Sequence, residues 1–472
     1  MTPAPAYRRR LLAAVALPTA ACLGIAAWTA PASAVRFDPG STSGGDPYFP
    51  ASGNGGYQVE HYDLDVSYDP ATKAFRSTAQ ITLQATADID SFSLDLRDFA
   101  VDSVRIERHS ARFTHVDGEL VVRARPRLKA GTTRTVTVTY GGTAGNPLDV
   151  EEAAYGFYTF ADGAFTANEP DGAATWYPVN DIPTDKATYD IAITVPQGFT
   201  GIANGELVSA TTTGGRTRWQ WTSADPMASY LSTASIGNYD FTQQVGPGGL
   251  PILNFVDQDV TEADKLTTAA SLALQPQMIA FFEGVYGPYP FGSFGAIVDD
   301  DSVGYALETQ TRPIYSGSAD ESTVAHELAH QWVGNSVSPQ SWKDIWLNEG
   351  FATYSQWMWT ESRGGTTAQE NYDEIAAIPA DDGFWTDVVV ADPGPLGLFT
   401  GPVYDRGAAT LHALRVEVGD EAFAEILRRW ASDNADGNVT TSDLVALSEE
   451  VSGLELDAFF TDWVVDTDKP AV

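Results

Sequence analysis

Two histidines and a glutamate form an H-E-x-x-H run at His326, Glu327 and His330, and a second acid, Glu349, follows after eighteen intervening residues. On a helix, residues four apart share a face, so both imidazoles can reach one ion. Glu327 points in a neighbouring direction, within reach of a water on that ion. Two neutral nitrogens, one carboxylate and one open position are the donor set of a catalytic zinc site. Cysteine chemistry is absent from this reading. The only cysteine, Cys22, lies in an apolar N-terminal stretch far from the run.

Two helices must carry these residues. Ser318 and Glu321 have the spacing of a capping box, which predicts a helix start just before the run. Gly334-Asn335 is a suitable stop. After Pro339, the stretch from Trp342 to Met358 reads as a second helix bearing Glu349. Thr353, one turn further on, is a candidate support for a metal ligand. Helical spacing continues over 405–418, 421–431, 443–451 and 456–465, with Thr440 or Thr441 as a cap for the third of these. His412, on the first, reads as structural. Ahead of the run, 266–285 is helical around Pro276, and 294–298 reads as a buried strand.

The first half of the chain has a different period. Tyr62, Leu64, Val66 and Tyr68 alternate with polar residues, as do Ile81, Leu83 and Ala85, then Val136, Val138 and Tyr140, then Tyr189, Ile191, Ile193 and Val195. Short alternating strands separated by Gly- and Pro-containing turns predict a β-sandwich-like domain. The expected organisation is a signal peptide over 1–34, an extended lead-in over 35–56, an N-terminal β domain over 57–243 and a mainly helical catalytic domain over 244–472. The signal reading rests on Arg8-Arg9-Arg10, an apolar Ala-rich segment and the small residues of Pro31-Ala-Ser-Ala34. It implies a secreted protein with no stable membrane association after cleavage. A net charge of −36 argues against nucleic acid or an anionic membrane as partner.

Three zinc-protease geometries compete for the run. The long metzincin pattern requires Gly at position 333 and His at position 336, where this chain has Val333 and Ser336. An inverted H-x-x-E-H is absent. A glutamate on the following helix remains, and Asn348-Glu349-Gly-Phe-Ala352 provides it. With the surrounding Trp342-x-x-x-Trp-Leu-Asn-Glu-Gly-Phe-Ala-Thr-Tyr354, this combination resembles the aminopeptidase N family of gluzincins, one-zinc aminopeptidases with a thermolysin-like catalytic domain.

The resemblance covers most of the chain and implies roles. His326, His330 and Glu349 match the ligands of one Zn2+, and Glu327 matches the general base toward the activated water. Val403-Tyr-Asp-Arg-Gly407 matches the family's Tyr-Glu-Lys-Gly segment, which makes Tyr404 the phenol that stabilises the oxyanion. Tyr305-Ala-Leu-Glu-Thr309 falls where the family has Gly-Ala-Met-Glu-Asn. Ala306 would then contact substrate, and Glu308 would bind its free α-amino group. Tyr305, Leu307 and Thr309 depart from that pattern. Glu169, in Ala167-Asn-Glu-Pro170, aligns with a second amine-binding acid. Only about a hundred residues follow Ala368, so a two-domain short form with a more open cleft is expected.

The resulting expectation is a secreted, monomeric zinc aminopeptidase acting on peptides with a free N-terminus. A zinc endopeptidase or epoxide hydrolase on the same scaffold, and a non-catalytic binding protein that keeps the fold, are the alternatives.

Overall fold

A computed structural model describes residues 37–149, 152–299 and 303–470; the expected signal segment lies outside them. The alternating stretches become strands. β1 (Tyr57–Asp69), β2 (Ala74–Ala85), β3 (Ala100–Ile106), β4 (Thr133–Thr143), β5 (Ala187–Pro196), β6 (Glu206–Thr213) and β7 (Arg216–Met227) join one large sheet in the order β6-β7-β5-β1-β2-β4-β3, with His109–Ser110 at its edge. Pairing is antiparallel except between β5 and β1, where Tyr189 sits opposite Tyr62. On β1, Tyr62, Leu64, Val66 and Tyr68 are buried while their neighbours face outward, the period-two burial that the sequence predicts. A smaller sheet built on Ile89–Asp95 packs against this face, with Phe92 edge-on to Tyr57 at 5.9 Å. The two layers share one apolar core.

A second architecture follows. β8 (Tyr239–Val245), β9 (Pro251–Asp257), β10 (Phe294–Asp299) and β11 (Ile314–Ser316) form a four-stranded sheet, parallel from β9 onward. All six residues of β10 are buried, as expected for a strand covered on both faces. Between β9 and β10 run α1 (Glu262–Leu272) and α2 (Gln275–Tyr286), and Pro276 stands in the first turn of α2, where its missing N–H costs nothing. The longer helices that follow are α3 (Glu321–Ala329), α4 (Trp346–Ser362), α5 (Ala368–Ala376), α6 (Gly407–Val418), α7 (Asp420–Asp433) and α8 (Thr441–Ser452), with short helical turns at Gly383–Thr386 and Asp457–Phe460. Thr440 caps α8 in a reciprocal pair with Asp443.

One local expectation needs correction. The cap of α3 is Asp320, whose carboxylate accepts from the N–H groups of Ser322 at 3.0 Å and Thr323 at 3.1 Å. Glu321 instead accepts from the Trp359 indole at 3.0 Å, so it is unavailable to a Ser318 capping box. The extended lead-in packs against the elements that follow it. Asp38–Pro39 pairs with Ile89–Asp95, and Asp46 accepts from the Trp342 N–H at 2.9 Å just ahead of α4. Phe49 packs edge-on against the Trp342 ring.

Candidate metal and catalytic site

The site lies where α3, α4 and the turn before α6 meet. On α3, Val324, Ala325, Leu328 and Ala329 are fully buried, which fixes the helix rotation and turns His326 and His330 toward α4. Glu349 lies in the first turn of α4, on a stretch where Trp346 to Ser355 are all buried. The α4 and α6 backbones cross closely. A Cβ on Gly350 would stand 3.0 Å from the Gly407 Cα, so glycine is needed there. That contact brings the widened turn Pro402–Arg406, which carries Tyr404, beside the metal ligands. Buried Arg406 secures the turn by donating to the carbonyls of Trp463 (2.7 Å), Trp385 (3.0 Å) and Asp466 (2.8 Å).

The donor atoms converge. His326 Nε2 is 3.2 Å from Glu349 Oε2, His330 Nε2 is 3.5 Å from the same oxygen, and the two Nε2 atoms are 3.1 Å apart. Ligands about 2.0–2.1 Å from a tetrahedral zinc stand about 3.3 Å from one another, so the set fits that ion. His330 Nδ1 donates to the Val333 carbonyl at 3.1 Å, which leaves the Nε2 lone pair for a metal. Gly334, at φ +126°, lets the chain turn here; a Cβ would come within 2.9 Å of His330 Nδ1. His326 is hydrogen-bonded by Gln356, two turns after Glu349 on the same helix face.

The buried charges around the donors act strongly on one another. Burial pulls His330 down, but Glu308 and Glu349 override it and push the imidazole up to about 10. Burial works to raise Glu349, yet charged His330 and hydrogen bonds from both imidazoles hold it at about 2. A buried donor set this rich in carboxylate suits a divalent cation, whose charge would offset it. Burial raises Glu327 well above the carboxylate range, with Glu308 and Glu349 adding to it and His330 opposing. Burial likewise raises Glu308 to about 7 and Glu169 well above its usual value. Tyr404 is pushed far up by burial and by the surrounding carboxylates, so it remains a phenol, a hydrogen-bond donor, at neutral pH.

The eight residues to which the family resemblance gives site roles line one cavity of about 410 Å3: His326, Glu327, His330, Glu349, Tyr404, Glu308, Glu169 and Ala306. Glu169, Glu308 and Glu349 place carboxylate oxygens within 4.8 Å of one another, as do Glu308, Glu327 and His330 donor atoms. Glu169, Glu308 and Glu327 each keep one buried oxygen without a hydrogen-bond partner. The Tyr404 ring lies nearly parallel to that of His326, centroids 6.1 Å apart. His412 stays outside the cavity, against Tyr354 and Gln369.

Sequence reasoning missed several lining residues, among them Asp149, Ala153, Gln356 and Phe399. Gln356 rather than Thr353 supports a ligand, and the seven-residue spacing from Glu349 is the signal that could have found it. Tyr305 donates to the Ala154 carbonyl at 2.7 Å and so closes one wall. Thr309 turns inward and donates to the Arg312 carbonyl, away from the cavity.

Fold and site define a metallohydrolase centre of the two-histidine, one-glutamate kind with a further carboxylate, Glu327, beside it. Residues 58–231 match the Peptidase M1 N-terminal domain, and residues 305–463 match the Peptidase family M1 domain. The chain belongs to the M1 peptidase family, whose metal is zinc. Among its relatives, Aminopeptidase M1-D of Oryza sativa subsp. japonica is 25% identical over 451 residues, 87% of this chain and 50% of that one. Glutamyl aminopeptidase of Bos taurus is 27% identical over 327 residues, 64% of this chain and 34% of that one. The chain thus spans about half the length, or less, of the curated relatives it matches. An M1 zinc metallopeptidase from Deinococcus radiodurans superimposes with a TM-score of 0.82 at 26% identity, covering 91% of this chain and 98% of that one. A mutant of it bound to a Tyr-Ser-Ala substrate gives 0.83 at 27% identity, with 91% and 99% covered.

Proposed function

We propose that the protein is a secreted zinc aminopeptidase that removes single residues from the N-termini of peptides. The observation that carries this reading is the placement of Glu308 and Glu169. Both are buried, each offers an oxygen with no protein partner, and their carboxylates lie within 4.8 Å of Glu349. A buried unpaired acceptor costs free energy unless a ligand satisfies it. A substrate α-ammonium does so, and its closeness to the metal ligands leaves room for one residue before the scissile bond.

His326, His330 and Glu349 would hold the zinc, which supplies Lewis acidity and lowers the pKa of a water at its open position. Glu327, which the charge of a bound zinc would keep ionised, takes a proton from the attacking water and passes it to the leaving amine. Tyr404 donates its phenolic hydrogen bond to the oxyanion that forms at the scissile carbonyl. Buried surroundings strengthen each of these interactions. Mutants of a two-domain M1 zinc metallopeptidase have been captured bound to L-arginine and to L-tryptophan, which supports peptides and their single residues as the ligands of this kind of protein.

The test compares a free peptide with its N-acetylated form. Cleavage of the free form alone is expected; equal cleavage of both would show an endopeptidase. Export and removal of 1–34 belong to the same proposal, and the mass of the protein recovered from culture medium checks them. Among the described residues, no helix is long and apolar enough to cross a membrane. Peptides with a free N-terminus are its partners, and a monomer is expected in solution.

A further inference from the structure

Glu308 does not lie on a helix or strand. It sits in the turn between Leu307 and Ile314, whose backbones bond to each other at 3.0 and 2.9 Å. Such a turn can tilt as a unit, so something must fix its distance from the metal ligands. The Glu308 carbonyl accepts two side-chain amides, from Asn335 Nδ2 at 2.7 Å and from Gln331 Nε2 at 3.1 Å. The same Gln331 carboxamide accepts the Thr311 N–H at 2.8 Å through its oxygen. One carboxamide therefore grips both ends of the segment 308–311. Thr311 stands at φ 65°, a conformation its β-branched side chain disfavours, and this grip helps to hold it.

Gln331 directly follows the metal ligand His330, Asn335 comes five residues after it, and both are fully buried. The Asn335 N–H bonds to the His330 carbonyl at 3.0 Å. Its own carbonyl accepts from Lys186 Nζ at 3.1 Å, as do those of Ser336 at 2.8 Å and Gly437 at 2.9 Å. The clamp is thus continuous from Lys186, just ahead of β5, through the loop after α3, to the turn bearing Glu308.

We infer that Gln331 and Asn335 are positioning residues that set the spacing between the amine-binding carboxylate and the metal, and thereby the one-residue register of cleavage. Neither side chain touches substrate; both act through the Glu308 backbone. The inference rests on the reading of Glu308 as the amine site.

Two hydroxamates separate the effects on the zinc-loaded full chain. Acetohydroxamate addresses the metal alone, whereas leucine hydroxamate also presents an α-amine. In the unmodified protein leucine hydroxamate should bind more tightly by calorimetry; equal affinities would remove the Glu308 assignment itself. With Gln331→Leu, leucine hydroxamate should weaken about tenfold while acetohydroxamate stays within about twofold, the loss expected when one buried hydrogen bond no longer holds the turn. Asn335→Ser, a milder change, should act in the same direction and serves if Gln331→Leu does not fold. Equal weakening of both hydroxamates, or no change in either, would overturn the inference.

Discussion

Two groups of buried carboxylates stand in this molecule under similar desolvation. In the β domain Asp95, Asp181 and Asp185 are 4%, 2% and 3% exposed. In the metal cavity Glu308, Glu327 and Glu349 are 2%, 5% and 3% exposed. Burial raises the first three to about 7, 8 and 7, much as it raises Glu308 to about 7. Their partners differ. Asp95 accepts from the N–H groups of Gly53 and Asp181, Asp181 from Ala174 and Ser229, and Asp185 from Val59 and Asn180. Glu169, Glu308 and Glu327 each keep an oxygen with no partner, all on one cavity. Glu119 and Asp344 also keep one such oxygen each, but neither lines that cavity. A raised carboxylate alone therefore marks burial. Several unpaired oxygens converging beside metal donors mark a site built for a ligand.

The comparison can be broken by making one change, acid to amide, in both regions. Glu327→Gln keeps the size of the side chain and removes the base. Hydrolysis of an aminoacyl-arylamide should fall about 10³- to 10⁴-fold in kcat, with one zinc per chain still bound. Near-normal activity would sink the assigned role. Glu308→Gln should raise KM by roughly two orders of magnitude, because a buried ammonium loses its charged partner, worth about 2–5 kcal/mol. Tyr404→Phe should lower kcat by about 10²-fold with little change in KM, since the phenol acts on charge that develops during reaction. Dialysis against a chelator should abolish activity, and added zinc should restore it.

Asp95→Asn gives the smallest effect and sharpens the contrast. The amide oxygen can still accept from Gly53 and Asp181, so activity should be unchanged. The folded protein holds a proton on Asp95 up to about pH 7, whereas the unfolded chain releases it near pH 3.9. The folded state thus binds more protons between those values, and this contribution to stability is lost as pH rises through about 7. Thermal melts from pH 5 to 8 should show the wild type losing stability relative to Asp95→Asn. A constant gap would mean that Asp95 is ionised throughout.

Much of the site was legible because the metal-binding run is local. His326 and His330 are one helical turn apart, and the amphipathic spacing around them requires that helix. The strand positions were legible for the same reason, since Tyr62 to Tyr68 alternate within one element. The α3 cap was misread because Ser318 and Glu321 satisfy a local rule, while Trp359, 38 residues away, takes the Glu321 carboxylate. Glu169, Glu308 and Tyr404 became candidates only through a family resemblance, as no periodicity distinguishes them from other loop acids and tyrosines.

By itself, the sequence determined the donor set, its spacing on a helix and the change from two-residue to helical period, because each depends on neighbours within a few turns. Tertiary structure alone decided that Glu308 and Glu169 meet Glu349, and that Gln331 and Asn335 grip the Glu308 turn. Those contacts join segments tens to hundreds of residues apart. Their geometry follows from packing, such as the Gly350–Gly407 crossing, which no local pattern encodes.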